Sequence, residues 1–244
     1  MFEDLPMSAW SFALLFATVV AGAVVQGTIG FGLNVIAAPI AAAVKPEALP
    51  AAMIIMSLPM TAGSALRERG HIDRSGVLFT TLGRLPGVVV GSVVVARLDA
   101  HDLAVWIGAM VVVAALMSVA PSQIAVTGRS AAIAGALGGL MGTTSSMGGP
   151  PIALLYQREP GPVLRSTLGA TFLIGSMLSL VGLAFAGRVA AWHGWLGLAL
   201  MPAVGLGLVA SRALHAWIDG GWLRPAVVAF ACLAGLAVVV RGLL

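Results

Sequence analysis

The sequence predicts an all-α integral membrane protein, a helical bundle of two repeats with almost no soluble part. Of its 244 residues, 59% are apolar and only 9% are charged, whereas about 25% of an ordinary soluble domain is charged. Apolar runs fill the chain, and a run of about 20 residues is long enough to span a bilayer. The polar connectors between the runs are too short for an extramembrane domain.

Seven or eight spans of about 20 residues would exhaust the chain, and ten apolar runs of unequal length lie between its charged residues. The first ten residues contain no Lys or Arg, so the segment from Ser8 onward is expected to be a mature membrane segment and not a cleaved signal peptide. The first half contains runs at 8–25, 35–44, 49–66, 75–96 and 103–120. The second half contains runs at 130–141, 150–156, 164–186, 195–214 and 225–240.

The two halves resemble each other, which predicts repeats at 1–121 and 122–244. Internal duplication is a common way in which transporters build a central site. A chain with 31 glycines and 13 prolines can also produce such matches by coincidence. The matches are Gly27, Gly30 and Pro39 with Gly139, Gly142 and Pro151, offset by 112, and Pro86, Gly91, Leu98 and Trp106 with Pro202, Gly207, Leu214 and Trp222, offset by 116.

Each repeat interrupts its hydrophobic pattern with glycine and small polar residues, at 26–34 and at 142–151. Non-helical backbone is tolerated at membrane depth only where it is buried in protein or lines a wet cavity. Freed N–H groups and the amino ends of half-helices carry partial positive charge, which suits an anion. Ordinary surface loops of the same composition are the alternative.

These interruptions supply most of the predicted substrate-binding residues. The first contributes Gln26, Gly27, Thr28, Gly30, Gly32 and Asn34, with Pro39 following. The second contributes Gly142, Thr143, Thr144, Ser145, Ser146, Gly148, Gly149, Pro150 and Pro151.

Each interruption belongs either to one broken spanning helix or to a re-entrant hairpin that enters and leaves on the same side. Without Arg84, which lies inside a span, the basic residues divide six to six for broken helices and eight to four for hairpins. The positive-inside rule favours the unequal division. Hairpins leave three crossings per repeat. Because three is an odd number, the second repeat starts on the opposite side of the membrane, which predicts inverted repeats. Both termini are then outside, and the side with eight Arg residues is cytoplasmic.

Arg84 lies deep within the run 75–96, and no carboxylate lies at a similar depth in any span. A charge at the bilayer centre costs at least about 2.5 kcal/mol unless it finds a partner or water. A guanidinium fork suits the oxygens of a sulfonate or carboxylate, so Arg84 joins the predicted site. Snorkelling, or capping of a neighbouring helix, is the structural alternative.

Several function classes are excluded by composition and motif. The 13 basic residues are scattered singly and give a net charge of +4, which predicts contact with the lipid bilayer and no nucleic-acid partner. Cys232 is the only cysteine, so no disulfide framework exists. HExxH, GxxxxGK[ST] and GxSxG motifs are absent. We therefore expect no enzyme activity, no catalytic residue, no metal ligand and no cofactor.

Two motifs carry a family resemblance, Gly27-Thr-Ile-Gly-Phe-Gly-Leu-Asn-Val-Ile-Ala-Ala-Pro39 and Met147-Gly-Gly-Pro-Pro-Ile-Ala-Leu154. The chain resembles the TauE/SafE sulfite exporter family, also called TSUP, along nearly its whole length. The resemblance implies ion-driven transport of sulfite or of small organosulfur and carboxylate anions such as sulfoacetate. Family members often carry a polar Thr or Asn early in the helix that follows the first motif, where this chain has Ala51-Ala-Met-Ile.

The expected function is therefore secondary transport of a small anion, either sulfite or a sulfoacetate-like organosulfonate, across the cell inner membrane. Alternating access would operate at a site on the repeat interface. H+ and Na+ are the candidate coupling ions, and a homo-oligomer is a candidate assembly. The alternatives are a transporter of another small carboxylate or ion, and a non-transporting membrane assembly protein.

Overall fold

The computed structural model describes residues 7–67, 69–121, 123–218 and 223–243, and these residues form helices and no strands. Trp222, which enters the comparison of the two halves above, lies outside the described residues. The α-helices are α1 (Ala9–Ile29), α2 (Leu33–Val44), α3 (Ala51–Arg67), α4 (Arg74–Arg97), α5 (Ala100–Val119), α6 (Gly128–Ser145), α7 (Pro150–Tyr156), α8 (Gly161–Phe185), α9 (Ala191–Ile218) and α10 (Leu223–Leu243).

Local side-chain bonds explain where several of these helices begin. The Asp73 carboxylate accepts from Gly76 N at the start of α4. Asp99 accepts from Asp102 N at the start of α5, and Thr127 forms a reciprocal capping box with Ser130 before α6. Each cap satisfies a backbone N–H that has no partner within its helix.

Five helices, α1, α4, α5, α8 and α9, are long and apolar enough to cross a membrane. Helices α2, α3 and α10 contain shorter apolar segments. Large apolar side chains such as Leu82, Val89 and Val93 on α4 point outward and are exposed. An outward apolar surface on a long apolar helix suits contact with lipid. The predicted class of all-α multi-pass membrane protein is confirmed.

Connector contacts define two opposite ends of the bundle. At the Lys45 face, α2 ends and α9 begins, and His193 Nε2 lies 2.9 Å from Glu47 O. At the Asp73 face, α4 and α8 begin, and Asp73 N donates to Thr167 Oγ1 at 3.0 Å. Helices α4 and α8 run parallel between these faces, because Arg188 after α8 donates to Ala96 O near the end of α4 at 2.8 Å.

The two interrupted segments are helical hairpins that enter from opposite faces. Helix α1 runs to a tip at 30–32, and α2 returns from it to the Lys45 face. Close packing of Gly22 against the Leu33 backbone shows the antiparallel arrangement. Helix α6 runs parallel to α4 from the Asp73 face to a second tip at 146–149. Helix α7 returns from that tip to Tyr156, whose hydroxyl donates to Asp73 Oδ2 at 2.7 Å.

Both non-helical stretches are shorter than the sequence pattern predicts. The backbone stays helical through Ile29 in α1 and through Ser145 in α6. The hydroxyl of Thr144 donates to Leu140 O at 2.9 Å and that of Ser145 donates to Met141 O at 2.7 Å. These polar side chains bond to carbonyls of their own helix, and the backbone hydrogen bonds of the helix continue past them. Helix α6 therefore has 18 residues, about 27 Å at the helical rise, and not the 12 of the apolar run.

Helix pairing follows the same plan in both halves. When α1 to α5 are matched in order with α6 to α10, the counterpart of the α4/α6 pair is the α9/α1 pair. Both pairs are extensively packed, as are the self-corresponding pairs α3/α8 and α5/α10. Gly108 packs against Gly235 and Val239, and Gly235 packs against Val112, so α5 and α10 run antiparallel.

Candidate functional site

The two hairpin tips meet inside the bundle. Asn34, at the start of α2, donates through Nδ2 to Ser146 O at 2.9 Å. Ser146 Oγ donates in turn to Pro50 O, before α3, at 3.0 Å. The predicted interruptions, 112 residues apart, are therefore joined by a direct hydrogen bond.

Backbone conformation explains why particular residues occupy the tips. Gly30 has φ +96° and Gly32 has φ +124°, a region that glycine populates without a Cβ penalty. Ser146 ends α6 in the left-handed conformation at φ +62°, which is uncommon for a residue with a side chain. At the first tip, Gln26 Oε1 accepts from Leu33 N at 3.1 Å and satisfies an amide at the beginning of α2.

A cavity of about 50 Å³ lies where the tips meet α3, α4 and α8. This volume holds several water-sized groups, since one water needs about 10–15 Å³ by the same kind of measure. Nine of the predicted site residues line the cavity: Gln26, Gly32, Asn34, Arg84, Gly142, Ser146, Gly148, Gly149 and Pro150.

In the first hairpin, four predicted site residues do not line this cavity. Gly27 packs against Ser211 of α9, and Thr28 Oγ1 donates to Val25 O at 2.8 Å. Gly30 lies beside the Arg165 side chain. Pro39 is inside α2 and lines a different groove against α5 and α10.

In the second hairpin, Thr144 and Ser145 bond to their own helix, and Thr143 Oγ1 lies 2.9 Å from Ser179 Oγ on α8. Pro151 is buried in α7 but is absent from the cavity lining. These four residues pack the walls around the cavity.

Sequence reasoning missed the contribution of α3 and α8. Ser57 and Thr61 of α3, and Ser176 and Ser179 of α8, all line the cavity. Their spacings of four and three residues place each pair on one helix face, a signal that the sequence contained. The remaining lining residues that were not singled out are Phe31, Val35, Ile54, Met147 and Phe172.

Among the described residues that line the cavity, Arg84 is the only charged one, and it is 3% exposed. Its Nη2 donates to Gly138 O at 3.2 Å and its Nη1 to Thr171 O at 3.4 Å. Its Nε is buried with no partner. No carboxylate pairs with it among the described residues, whose ion pairs are Lys45–Glu47 and His101–Asp102.

Glycines leave the space that the Arg84 guanidinium occupies. A Cβ on Gly142 would lie 2.6 Å from Nη2, and a Cβ on Gly148 or Gly175 would overlap the same group. Gly142 and Gly148 belong to the second hairpin, and Gly175 to α8. The glycines therefore admit the buried cation to the cavity wall, in addition to shaping the backbone of the tips.

Prolines at the start of α7 remove two of the amide hydrogens that a helix beginning at the second tip would otherwise offer to an anion. Helix α7 begins with Pro150 and Pro151, which have no N–H. Its next amides are used locally, because Ile152 N and Ala153 N both donate to Gly149 O. At this tip Arg84 supplies a cationic donor beside the cavity.

Metal-ligating groups are not found at the cavity. Among the described residues, one group of side chains has the spacing of a metal site, Asp99, His101 and Asp102, and all three are exposed at the Lys45 face. The cavity lining offers hydroxyls, one carboxamide from each of Gln26 and Asn34, and the guanidinium of Arg84. This combination can hydrogen-bond a small oxyanion.

The fold and the cavity define a polytopic membrane protein whose two interlocking hairpins enclose a small polar chamber. The family model described as sulfite exporter TauE/SafE matches residues 14–238, and the chain belongs to this family. A protein from Cupriavidus necator, described as a probable sulfite/organosulfonate exporter TauE, is 28% identical over 180 residues, covering 69% of this chain and 70% of that protein. No solved structure matches the chain.

Proposed function

We propose that this protein is a secondary transporter of sulfite or of a small, sulfoacetate-like organosulfonate. The substrate would bind in the cavity between the hairpin tips, and alternating access would expose that cavity to each membrane face in turn. Membership in a family of sulfite exporters and the name of the Cupriavidus relative support this class of substrate.

The observation that carries the proposal is the buried Arg84 guanidinium, which pairs with no carboxylate in the part of the chain that the structure describes. An unpaired cation at membrane depth is expensive, and its two carbonyl acceptors compensate only part of its charge. A bound oxyanion would supply the missing negative charge and charge-assisted hydrogen bonds. Ser176 lines the same cavity and offers a further hydroxyl to the anion. The hydroxyls of Ser57 and Thr61 also line it, but they donate to Ile54 O and Leu58 O.

Helix directions support the proposal of inverted repeats at 1–121 and 122–244. Corresponding helices that pack against each other, α5 with α10, run antiparallel, as an in-plane two-fold axis requires. The pair α3/α8 is also antiparallel: Gly169 near the start of α8 packs against Ala65 near the end of α3. Inverted repeats commonly rock against each other around a site at their interface.

The hairpin topology also supports an orientation. The Asp73 face receives the connectors and helix ends that hold eight of the basic residues, and the Lys45 face receives four. By the positive-inside rule, we propose that the Asp73 face is cytoplasmic in the cell inner membrane. Sulfite would then leave the cell through the Lys45 face. H+ or Na+ remains our proposed coupling ion, and a homo-oligomer our proposed assembly.

The test is transport of radiolabelled sulfite and sulfoacetate into proteoliposomes. Arg84→Ala should reduce flux by about 100-fold, because loss of a buried charge partner costs about 3 kcal/mol. Gly149→Leu should also block flux, since even a Cβ there would lie 3.0 Å from the Phe172 ring. Arg129→Ala, an exposed charge at the Asp73 face, is the matched control and should transport normally.

Thermal unfolding in detergent must show that the variants fold. Undiminished flux in folded Arg84→Ala and Gly149→Leu would remove the site assignment. A transporter of another small carboxylate or ion would show flux with those solutes and none with sulfite or sulfonates. A membrane assembly protein would show no solute flux at all.

A further inference from the structure

A second cavity, of about 520 Å³, lies at the Lys45 face. It is formed by the connector after α2, the ends of α4 and α8, and the starts of α5 and α9. Lys45, Glu47, Arg188, Trp192 and His193 line it. We call this cavity the Lys45 vestibule.

The walls of the vestibule are held by specific bonds. Arg188 Nη2 donates to Ala96 O at 2.8 Å and to Leu98 O at 3.0 Å, which ties the connector after α8 to the end of α4. His193 Nδ1 accepts from Ala190 N at 2.9 Å, and its Nε2 lies 2.9 Å from Glu47 O. Because a carbonyl oxygen can only accept, Nε2 carries the hydrogen. The vestibule is therefore a built cavity and not a gap between mobile loops.

Positive charge and an aromatic surface meet in this vestibule. Lys45 Nζ lies 5.9 Å from the centroid of the Trp192 ring and 3.4 Å from Glu47 Oε2. Trp192 stacks on His193 at a centroid separation of 3.8 Å. Lys45 and Arg188 supply two cations against one carboxylate, so the lining is net positive. A positively charged cleft concentrates anions.

Neighbouring residues of the chain belong to the walls of the vestibule and of the central cavity. Leu49 lines the vestibule, and the next residue, Pro50, accepts the hydrogen bond from Ser146 Oγ. Ser146 itself lines the central cavity. The hydrogen bond between Ser146 Oγ and Pro50 O therefore joins the wall of the central cavity to the wall of the vestibule.

We propose that the Lys45 vestibule is a second anion-binding station, through which the transported anion passes between the central cavity and the Lys45 face. This inference rests on the proposed function. Lys45 and Arg188 attract the anion, Glu47 limits its residence by competing for Lys45, and movement of the Ser146–Pro50 contact connects the chambers.

The test removes a positive charge and a negative charge from the Lys45 vestibule in two separate variants. Sulfite flux is measured separately from each face, in right-side-out and inside-out membrane vesicles at low salt. Lys45→Gln should raise the apparent KM for sulfite offered at the Lys45 face by up to about fivefold. Glu47→Gln should lower this KM by a similar factor. Removing a unit charge about 4 Å from the anion in water has an effect of this size. Both effects should vanish near 1 M salt, where the Debye length is about 3 Å.

The KM for sulfite offered at the Asp73 face should change in neither variant. Arg129→Gln, at the Asp73 face, is the matched control and should leave the KM at the Lys45 face unchanged. Equal KM values for wild type, Lys45→Gln and Glu47→Gln at the Lys45 face would overturn the vestibule and leave the central site intact.

A binding measurement keeps the inference testable if no flux is found. Sulfite titrated into the purified protein in detergent should change tryptophan fluorescence, and the change should be lost in Trp192→Phe and weakened in Lys45→Gln. Absent wild-type flux would count against the proposed function alone. A fluorescence response that is the same in wild type, Trp192→Phe and Lys45→Gln would overturn the vestibule.

Discussion

The two halves of the molecule share a helical plan but differ in charge at corresponding positions. Arg84 in α4 lies two residues before Pro86, and Leu200 in α9 lies two residues before Pro202. Arg84 is buried at the central cavity, whereas Leu200 is fully buried in the apolar core. The two halves therefore have similar helices at these positions, but only the first places a cation at the central cavity.

The hairpin tips show a parallel difference. The first tip uses two glycines with positive φ and a glutamine that caps the returning helix. The second tip uses a left-handed serine and two prolines, which offer no amide hydrogens. The first tip therefore satisfies a backbone amide with its own glutamine, whereas the second leaves room for the side chain of Arg84.

The largest loss of stability is expected when the second half receives an arginine at the position that corresponds to Arg84. Leu200→Arg would place an unpaired cation among apolar side chains, at a cost of at least about 2.5 kcal/mol, and should prevent folding or lower the unfolding temperature sharply. Leu200→Met conserves volume and should cost less than about 1.5 kcal/mol. Thermal unfolding in detergent measures both. The halves would be interchangeable if Leu200→Arg were as stable as the wild type and if the double variant Arg84→Leu, Leu200→Arg transported sulfite.

The next effect concerns the space around Arg84. Gly175→Ala places a Cβ against the guanidinium and should displace it from the cavity. Sulfite flux should fall by about tenfold or more, because a displacement of about 1 Å can have such an effect in a preorganised site. Gly205→Ala on α9, where nothing lies within 4 Å, is the control and should transport normally. Equal flux in the two variants would mean that the position of Arg84 is unimportant.

A smaller effect is expected where the tips touch. Asn34→Leu removes the donor to Ser146 O and should destabilise the protein by about 1–3 kcal/mol, the cost of leaving a buried polar group unsatisfied. Thr144→Val removes a hydroxyl that bonds only to its own helix and should be nearly neutral. Unfolding temperatures distinguish the two. If both variants unfold alike, the contact between the tips contributes no stability.

The smallest effect tests the backbone of the first tip. Gly30→Ala introduces a side chain at φ +96° and should cost about 1 kcal/mol or more. Gly63→Ala, in α3 with open space around it, should stabilise by up to about 1 kcal/mol. Opposite shifts in unfolding temperature are expected, and a shift in the same direction for both would contradict the conformational argument.

Much of the fold followed from hydrophobic patterning. The run 75–96 anticipated α4 at Arg74–Arg97, and 150–156 coincides with α7, because charged residues mark the ends of apolar helices. The extent of the non-helical tips was wrong. Thr28, Thr144 and Ser145 looked like helix breakers, yet their hydroxyls bond to carbonyls of their own helices, an outcome that residue type alone does not distinguish from a cap or a turn.

The candidate site was only partly predictable for a related reason. Glycine-rich motifs identified Gly142, Gly148 and Gly149 at the cavity, because interruptions within apolar runs are visible in one dimension. Ser57 and Ser176 belong to ordinary-looking helices, and only packing against the tips brings them to the same cavity.

The sequence by itself determined the membrane-helical class, the positions of the two interruptions and the unusual burial of Arg84, because each depends on local hydrophobicity, chain length and charge. Tertiary structure decided that the hairpins enter from opposite faces, that Asn34 bonds Ser146, and that Gly175 makes room for the guanidinium. Those contacts join residues far apart in the chain, and the close approach of packed helices selects them.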